Sequence, residues 1–251
     1  MTIAILSALP QEQAGLHHSL EQPVCIRHAG RQFWQGCLHG QPVVLALSGI
    51  GKVAAATTAT ALIERFAATR IVFTGVAGGL GLGVQVGDVV IAQDYVQHDM
   101  DATPLFARWQ VPGYGGVRLP CDPALSALLS AAAQSCVAQV GTSLEAEWIA
   151  PTGGPRLHYG LMASGDQFVT SAQASTALRA SLLAAGHEVL AVEMEGAAVA
   201  QVCIDYGVPF AAVRAISDRA DDQAVVDFPR FIRTVASRYA DHIVRGLLQA
   251  M

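Results

Sequence analysis

Two glutamates one residue apart, an arginine and an aspartate stand at the ends of two apolar runs. Val189-Leu190-Ala191-Val192 empties into Glu193-Met194-Glu195-Gly196, and Pro209-Phe210-Ala211-Ala212-Val213 ends in Arg214-Ala215-Ile216-Ser217-Asp218. Between them, Gly196 to Ile204 reads as an apolar helix with almost no polar face. A strand, helix and strand of this length predict a right-handed βαβ unit with parallel strands. Both charged clusters then lie at one carboxyl edge of the sheet, where open α/β folds bind their ligands. A lone acid there is explained by helix dipoles and solubility, whereas converging acids and a cation point to a site. Glu12 joins them if the first strand, Thr2 to Ala8, is parallel to the others, because Leu9-Pro10-Gln11-Glu12 opens a helix just beyond its end. Complementing that helix's dipole is an equally good account of Glu12 from position alone.

For a nucleoside substrate, such acids have three tasks. Breaking the N-glycosidic bond makes the sugar cationic and leaves a purine that departs badly as an anion. One acid must protonate the purine, one carboxylate must hold the ribose hydroxyls, and one base must activate water. Asp218, Glu195 and Glu12 can divide these roles, and Phe168 and Phe228 can stack on a base or belong to the core.

Composition narrows the setting. The 251 residues are 52% hydrophobic and 14% charged, with a net charge of -5 and Lys52 as the only lysine. No basic run exists, which argues against nucleic acid and anionic membranes as partners. So apolar a chain is expected to bury some surface between subunits. Cys25, Cys37, Cys121, Cys136 and Cys203 form no Cys-x-x-Cys pair, so neither a disulfide framework nor a zinc site is expected; no metal or cofactor is called for, and the cytoplasm is the natural compartment. No signal peptide is legible at the start. Pro123 to Leu144 lacks charge, yet Ser126, Ser130 and Gln134 draw a polar stripe, which predicts an amphipathic helix and not a membrane span.

The remaining elements supply the frame. Val24 to His28, Phe33 to Leu38 and Val43 to Ser48 predict an antiparallel meander, broken at Gly30 and Gly40. Ser48-Gly49-Ile50-Gly51-Lys52 leads into a helix from Val53 to Phe66 and is too short for a P-loop. Arg70 to Thr74 predicts a strand ending in Gly75-Val76-Ala77-Gly78-Gly79, whose glycines suit tight turns or close approach of a ligand to the backbone. Strands are expected at Val89 to Ala92 and Tyr159 to Ser164, with a helix from Ala172 to Ala185. Ala102 to Pro120 reads as an irregular lid or interface arm, and Pro151 to Pro155 as a turn. One last helix, from Phe228 to Leu248, carries an apolar stripe as structural cover. No linker or repeat interrupts residues 1-251, which predicts a single α/β domain.

Together, Ser48-Gly49-Ile50-Gly51-Lys52-Val53-Ala54-Ala55-Ala56, Thr74-Gly75-Val76-Ala77-Gly78-Gly79, Ser164-Gly165-Asp166, Val192-Glu193-Met194-Glu195 and Arg214-Ala215-Ile216-Ser217-Asp218 resemble the bacterial methylthioadenosine/S-adenosylhomocysteine nucleosidases of the nucleoside phosphorylase superfamily. The resemblance spans nearly the whole chain in order. It implies a twisted central mixed β-sheet flanked by helices, in a homodimer that takes a small nucleoside. It also implies Asp218 as the acid towards purine N7 and Glu12 as the base for water, assisted by Arg214. Glu195 and the Met194 backbone hold the ribose diol, with Glu193 fixing that loop. Adenine meets the main chain at Phe168 and Val169 and the Phe168 ring, while Val76, Ala77, Gly78 and Ser217 line the site. Leu9, Ile50, Met194 and Phe228 surround the 5'-substituent, and Ala102 and Leu105 reach into the neighbouring subunit's site. The chain departs from the family in carrying Val76 where a serine is usual, in its small Ala102 and non-aromatic Leu105, and in a longer Ser143 to Leu157 segment. Alternatives are a futalosine-type nucleosidase, a phosphorylase on the same fold, and a nucleoside-binding protein without catalysis.

Overall fold

A computed structural model of the chain describes residues 1–140 and 154–251. Most of the expected turn at Pro151 to Pro155 and most of the longer Ser143 to Leu157 segment lie outside the described residues. In order, the elements are β1 (Thr2–Ser7), α1 (Pro10–Ser19), β2 (Glu21–His28), β3 (Arg31–Leu38), β4 (Gln41–Leu47), α2 (Lys52–Glu64), β5 (Ala68–Gly79) and β6 (Val89–Gln97). There follow β7 (Arg118–Pro120), α3 (Pro123–Val140), β8 (Leu157–Ser164), α4 (Ala172–Ala184), β9 (Val189–Glu193), α5 (Gly196–Tyr206), β10 (Phe210–Asp218), α6 (Ala224–Thr234) and α7 (Ala236–Gln249).

The strands form one mixed sheet in the order β10-β6-β8-β9-β5-β1-β4-β3-β2, with β7 on β6. The meander β2–β3–β4 is antiparallel as expected. Its hairpins turn on Ala29-Gly30 and His39-Gly40, all at positive φ, the two-residue geometry that matches strand twist. β1 runs parallel to both β4 and β5, so Glu12 does sit past the carboxyl end of a parallel strand.

The expected βαβ pairing is corrected. β9 and β10 do not pair; each borders β5, β10 in parallel from Phe210↔Ile71 to Asp218↔Gly78, and β9 antiparallel at Gly78↔Val192 and Gly79↔Ala191. Because β10 also pairs with β6, the strands β5, β10, β6, β8 and β9 close on themselves. The cause is the length of β5: the run from Gly75 to Gly79, whose glycines suit tight turns or close approach of a ligand, continues the strand with few side chains to resist curling. Gly78 therefore faces Val192 on one side and Asp218 on the other. The two acidic strand ends meet there by curvature and not by direct pairing.

Alternation along the strands fills two cores. Ala4 and Leu6 face one side with Phe33, Leu62, Phe73 and Val199, between the sheet and α2 and α5. Ile3 and Ile5 face the other with Leu16, Leu129, Tyr239 and Leu247, against α1, α3 and α7. Sheets covered on both faces need continuous apolar strands, and each fully buried Leu or Ile contributes about 1.5–3 kcal/mol. The single last helix of the sequence is two: Val235, at φ -124, separates α6 from α7. The break lets α7 pack on α1 and α3 while α6 presents Phe228 to a cavity at the strand ends. Among the described residues no helix is long and apolar enough to cross a membrane.

Candidate active site

The cavity, of about 240 Å³, is lined by Ala8, Leu9, Glu12, Ile50, Val76, Ala77, Gly78, Phe168, Val192, Glu193, Met194, Glu195, Ser217, Asp218 and Phe228. Four of these side chains are carboxylates and none is Lys, Arg or His. A larger groove of about 1140 Å³ between α1 and the meander contains His17, Arg27, Arg31 and Trp34 but no carboxylate among the described residues, so the buried acids gather at the smaller space.

Glu12 is held by backbone alone. Its Oε2 accepts from Ala8 N (2.9 Å) and Leu9 N (2.8 Å), and its Oε1 from Val76 N (3.0 Å). It thereby caps its own helix, with Pro10 supplying the first turn, and still faces the cavity. One carboxylate thus both caps α1 and lines the cavity. A Cβ on Gly75 would stand 2.8 Å from Glu12 Oε1, and one on Gly78 3.0 Å from Asp218 Oδ1; these glycines make room for the acids. Burial pushes the Glu12 pKa up against the lowering pull of the Leu9 N–H, Arg214 and the Val76 and Ala8 N–H groups. A raised carboxylate is a stronger base.

Asp218 ends β10 at 1% exposure. Its Oδ1 accepts from Ala220 N (2.8 Å) and its Oδ2 from Ser217 Oγ (2.8 Å). Burial raises its pKa, only partly offset by those two donors, which favours the protonated form an acid catalyst requires.

Glu193 and Glu195 flank the turn into α5. Glu193 accepts from Gly196 N with both oxygens (2.9 Å each), from Glu195 N (3.2 Å), from Arg214 Nη2 (2.8 Å) and from Ser164 Oγ. Among the described residues, Glu195 receives one hydrogen bond, from Gly51 N at 2.8 Å. Burial, and then the neighbouring Glu193, raise the Glu195 pKa to about 8. At the rim, the Phe168 and Phe228 rings meet edge-to-face with centroids 5.5 Å apart, and Phe168 is half-exposed.

Four expected site residues lie off the lining. Arg214 turns behind it: Nη1 donates to Phe73 O (3.1 Å) and Val213 O (3.2 Å), Nη2 pairs with Glu193, and Cζ stacks 4.0 Å from the Phe73 ring centre. It reaches Glu12 through its charge alone. Val169 packs against the cluster of Leu80, Val96 and Ala220. Ala102 and the 83% exposed Leu105 belong to the arm between β6 and β7, away from this chain's own cavity. Ala8 carries no sequence signal beyond adjacency to Leu9, while Val192 and Ser164 stand within the motifs with no role assigned to them; Ser164 also accepts from Ala197 N (2.8 Å), bracing the turn into α5. Among the described residues no group of His, Cys, Asp and Glu could hold a metal ion.

A closed mixed sheet with buried acids around an aromatic-edged pocket is the architecture of a nucleoside phosphorylase-like α/β enzyme. The chain belongs to the phosphorylase superfamily, whose family model matches residues 2–249. It is 36% identical over 247 residues to the 5'-methylthioadenosine/S-adenosylhomocysteine nucleosidase of Aeromonas salmonicida, covering 98% of this chain and 99% of the relative. The nucleosidase of that name from Neisseria meningitidis, solved with methylthio-immucillin-A, superposes with a TM-score of 0.86 at 36% identity, covering 100% of this chain and 99% of the other. Futalosine hydrolase of Helicobacter pylori superposes with a TM-score of 0.83 at 30% identity, covering 100% and 98%.

Proposed function

We propose that the chain hydrolyses the N-glycosidic bond of 5'-methylthioadenosine and S-adenosylhomocysteine, releasing adenine and the 5'-thioribose. The observation that carries this reading is a cavity lined by carboxylates and no cation, beside relatives that bear that activity in their names. Asp218 gives a proton to purine N7 as the bond to C1' breaks. Glu195 and the Met194 backbone hold the ribose diol and favour the positive charge on the sugar. Glu12 takes the proton from the water that adds to C1'. Phe168 packs on adenine, with Val169 supplying main chain nearby, and Leu9, Ile50 and Phe228 form an apolar seat for the sulfur substituent. Arg214 supports Glu12 electrostatically from behind Glu193.

A phosphorylase needs cationic groups for phosphate, and among the described residues Arg214 is engaged with Glu193 and Lys52 with Asp99. A futalosine-type substrate stays open as a second reading because of the neighbour of that activity. We further propose that residues 1–251 act as one domain in a cytoplasmic homodimer, with Ala102 and Leu105 of one copy covering the cavity of the other. Ile50 at 57%, Val53 at 78% and Leu105 at 83% exposure leave apolar surface for such a contact.

The test is product analysis with methylthioadenosine, S-adenosylhomocysteine and futalosine, each with and without phosphate. Free adenine from the first two without phosphate is expected. Release only with phosphate, accompanied by a sugar 1-phosphate, would overturn hydrolysis, and exclusive cleavage of futalosine would replace the substrate.

A further inference from the structure

Glu195 is poorly tethered for a group that must hold a sugar: among the described residues its carboxylate receives a single hydrogen bond, from Gly51 N. That amide opens α2, where Gly51 sits at φ 97 as the helix cap without a side chain to offer. The missing cap comes from elsewhere. Asp166, on the loop after β8, accepts from Lys52 N with Oδ1 at 2.7 Å, where a helix start favours an anion. Asp166 N in turn donates to Asp99 Oδ2 (2.9 Å), and Asp99 Oδ1 takes Lys52 Nζ at 2.6 Å. Lys52 Nζ also donates to Gln97 Oε1 (3.1 Å), whose amide donates to Gln201 Oε1 (2.9 Å) on α5. Glu195 occupies the position just before α5, with no capping bond from its side chain, so the bonds and the chain between them form a ring: Glu195, Gly51-Lys52, Asp166 with Asp99, Gln97, Gln201 and back.

We propose that Asp166 is a positioning residue for the ribose-holding carboxylate: by capping α2 it fixes the Gly51 N–H that aims Glu195. Two residues further on, the same loop carries Phe168 into the cavity. The base-facing loop and the sugar-facing carboxylate are therefore joined through one carboxylate, Asp166, which is not part of the cavity lining. The role of Glu195 rests on the nucleosidase reading above; the geometry of the tether does not.

Two variants and two readouts test this. Asp166→Ala removes the acceptor for Lys52 N, whereas Asp166→Asn removes only the charge. With methylthioadenosine and its 3'-deoxy analogue, the ratio of kcat/KM values reports how well the sugar hydroxyl is held. D166A is expected to reduce that ratio about tenfold while D166N stays within about twofold of wild type, a pattern that loss of stability alone does not give. The second readout needs no turnover: titration of ¹³C-labelled glutamate by NMR. The Gly51 N–H lowers the Glu195 pKa against the effect of burial, so Glu195 should titrate higher in D166A than in wild type and D166N. An unchanged ratio in D166A, equal loss in both variants, or an unmoved Glu195 titration would overturn the proposal. Absence of cleavage by the wild type overturns the nucleosidase reading instead, and the titration still decides the tether.

Discussion

Glu193 and Glu195 are separated by one residue and do opposite things. On the inner side of the β9–α5 turn, Glu193 is saturated by three backbone and side-chain donor groups besides the Arg214 guanidinium. On the outer side, Glu195 has one donor and a pKa raised to about 8. A carboxylate whose lone pairs are all answered by protein holds the fold together. One left with unanswered lone pairs in a buried cavity is destabilising until a ligand supplies donors, and sugar hydroxyls are such donors. Asp218 and Glu12 keep protein donors and still face the cavity, whereas Arg214 lies behind it.

The largest expected effect tests the cavity side. Asp218→Asn preserves the shape and can serve both neighbours, accepting from Ala220 N and donating to Ser217 Oγ, but it cannot deliver a proton. We expect kcat to fall about 10²–10⁴-fold with KM changed little, and a thermal midpoint close to wild type. Steady-state kinetics with methylthioadenosine reads this directly; near-normal turnover would remove Asp218 from the acid role.

The inner side should fail differently. Glu193→Ala strands the Arg214 guanidinium, buried and without its ion-pair partner, and empties the place where the Gly196 and Glu195 N–H groups and Ser164 converge. Breaking such a pair costs about 3–5 kcal/mol, so the thermal midpoint should drop by about 10 °C, measured by calorimetry beside Glu195→Gln, which should hold its midpoint while losing activity. Equal midpoints in the two variants would erase the distinction between the two glutamates.

What was legible in the sequence follows from the same division. Acids that interrupt apolar runs stand out, which is why Glu12, Glu193, Glu195 and Asp218 could be placed at strand ends before any fold was known. The parallel first strand, the meander and its Gly-containing hairpins follow from local turn chemistry. Long-range curvature does not. The closure that sets β9 and β10 on either side of β5 depends on how twelve residues bend, and the glycines that permit the bend read equally well as turns. Nor could the direction of Arg214 be read: β10 is buried on both faces, so its alternation carries no inside and outside. Val235 gives no local sign of a helix break, since the apolar stripe runs through it. Asp166 was visible only as part of a motif, because its partner Lys52 N is a backbone group more than a hundred residues away.

The smallest effect sharpens the comparison through pH. Glu195 keeps its proton in the folded chain up to about 8, while in the unfolded chain it releases it near 4.5. Between those values the folded state binds more protons than the unfolded state, so stability falls as pH rises, and the contribution present below the lower value is lost through the upper one. Glu12 and Asp218, both raised by burial, act in the same direction. Glu195→Gln removes one of the three titrations. Urea unfolding at about pH 5 and about pH 8 should therefore show a shallower loss of stability in Glu195→Gln than in wild type, by at least about 1 kcal/mol. Saturating the wild type with a non-hydrolysable nucleoside analogue should shift its curve most at the upper pH, where the ionised carboxylate gains the hydroxyl donors that the protein withholds. Parallel losses in both proteins would mean that Glu195 is ionised throughout, and that donors besides Gly51 N–H already answer it.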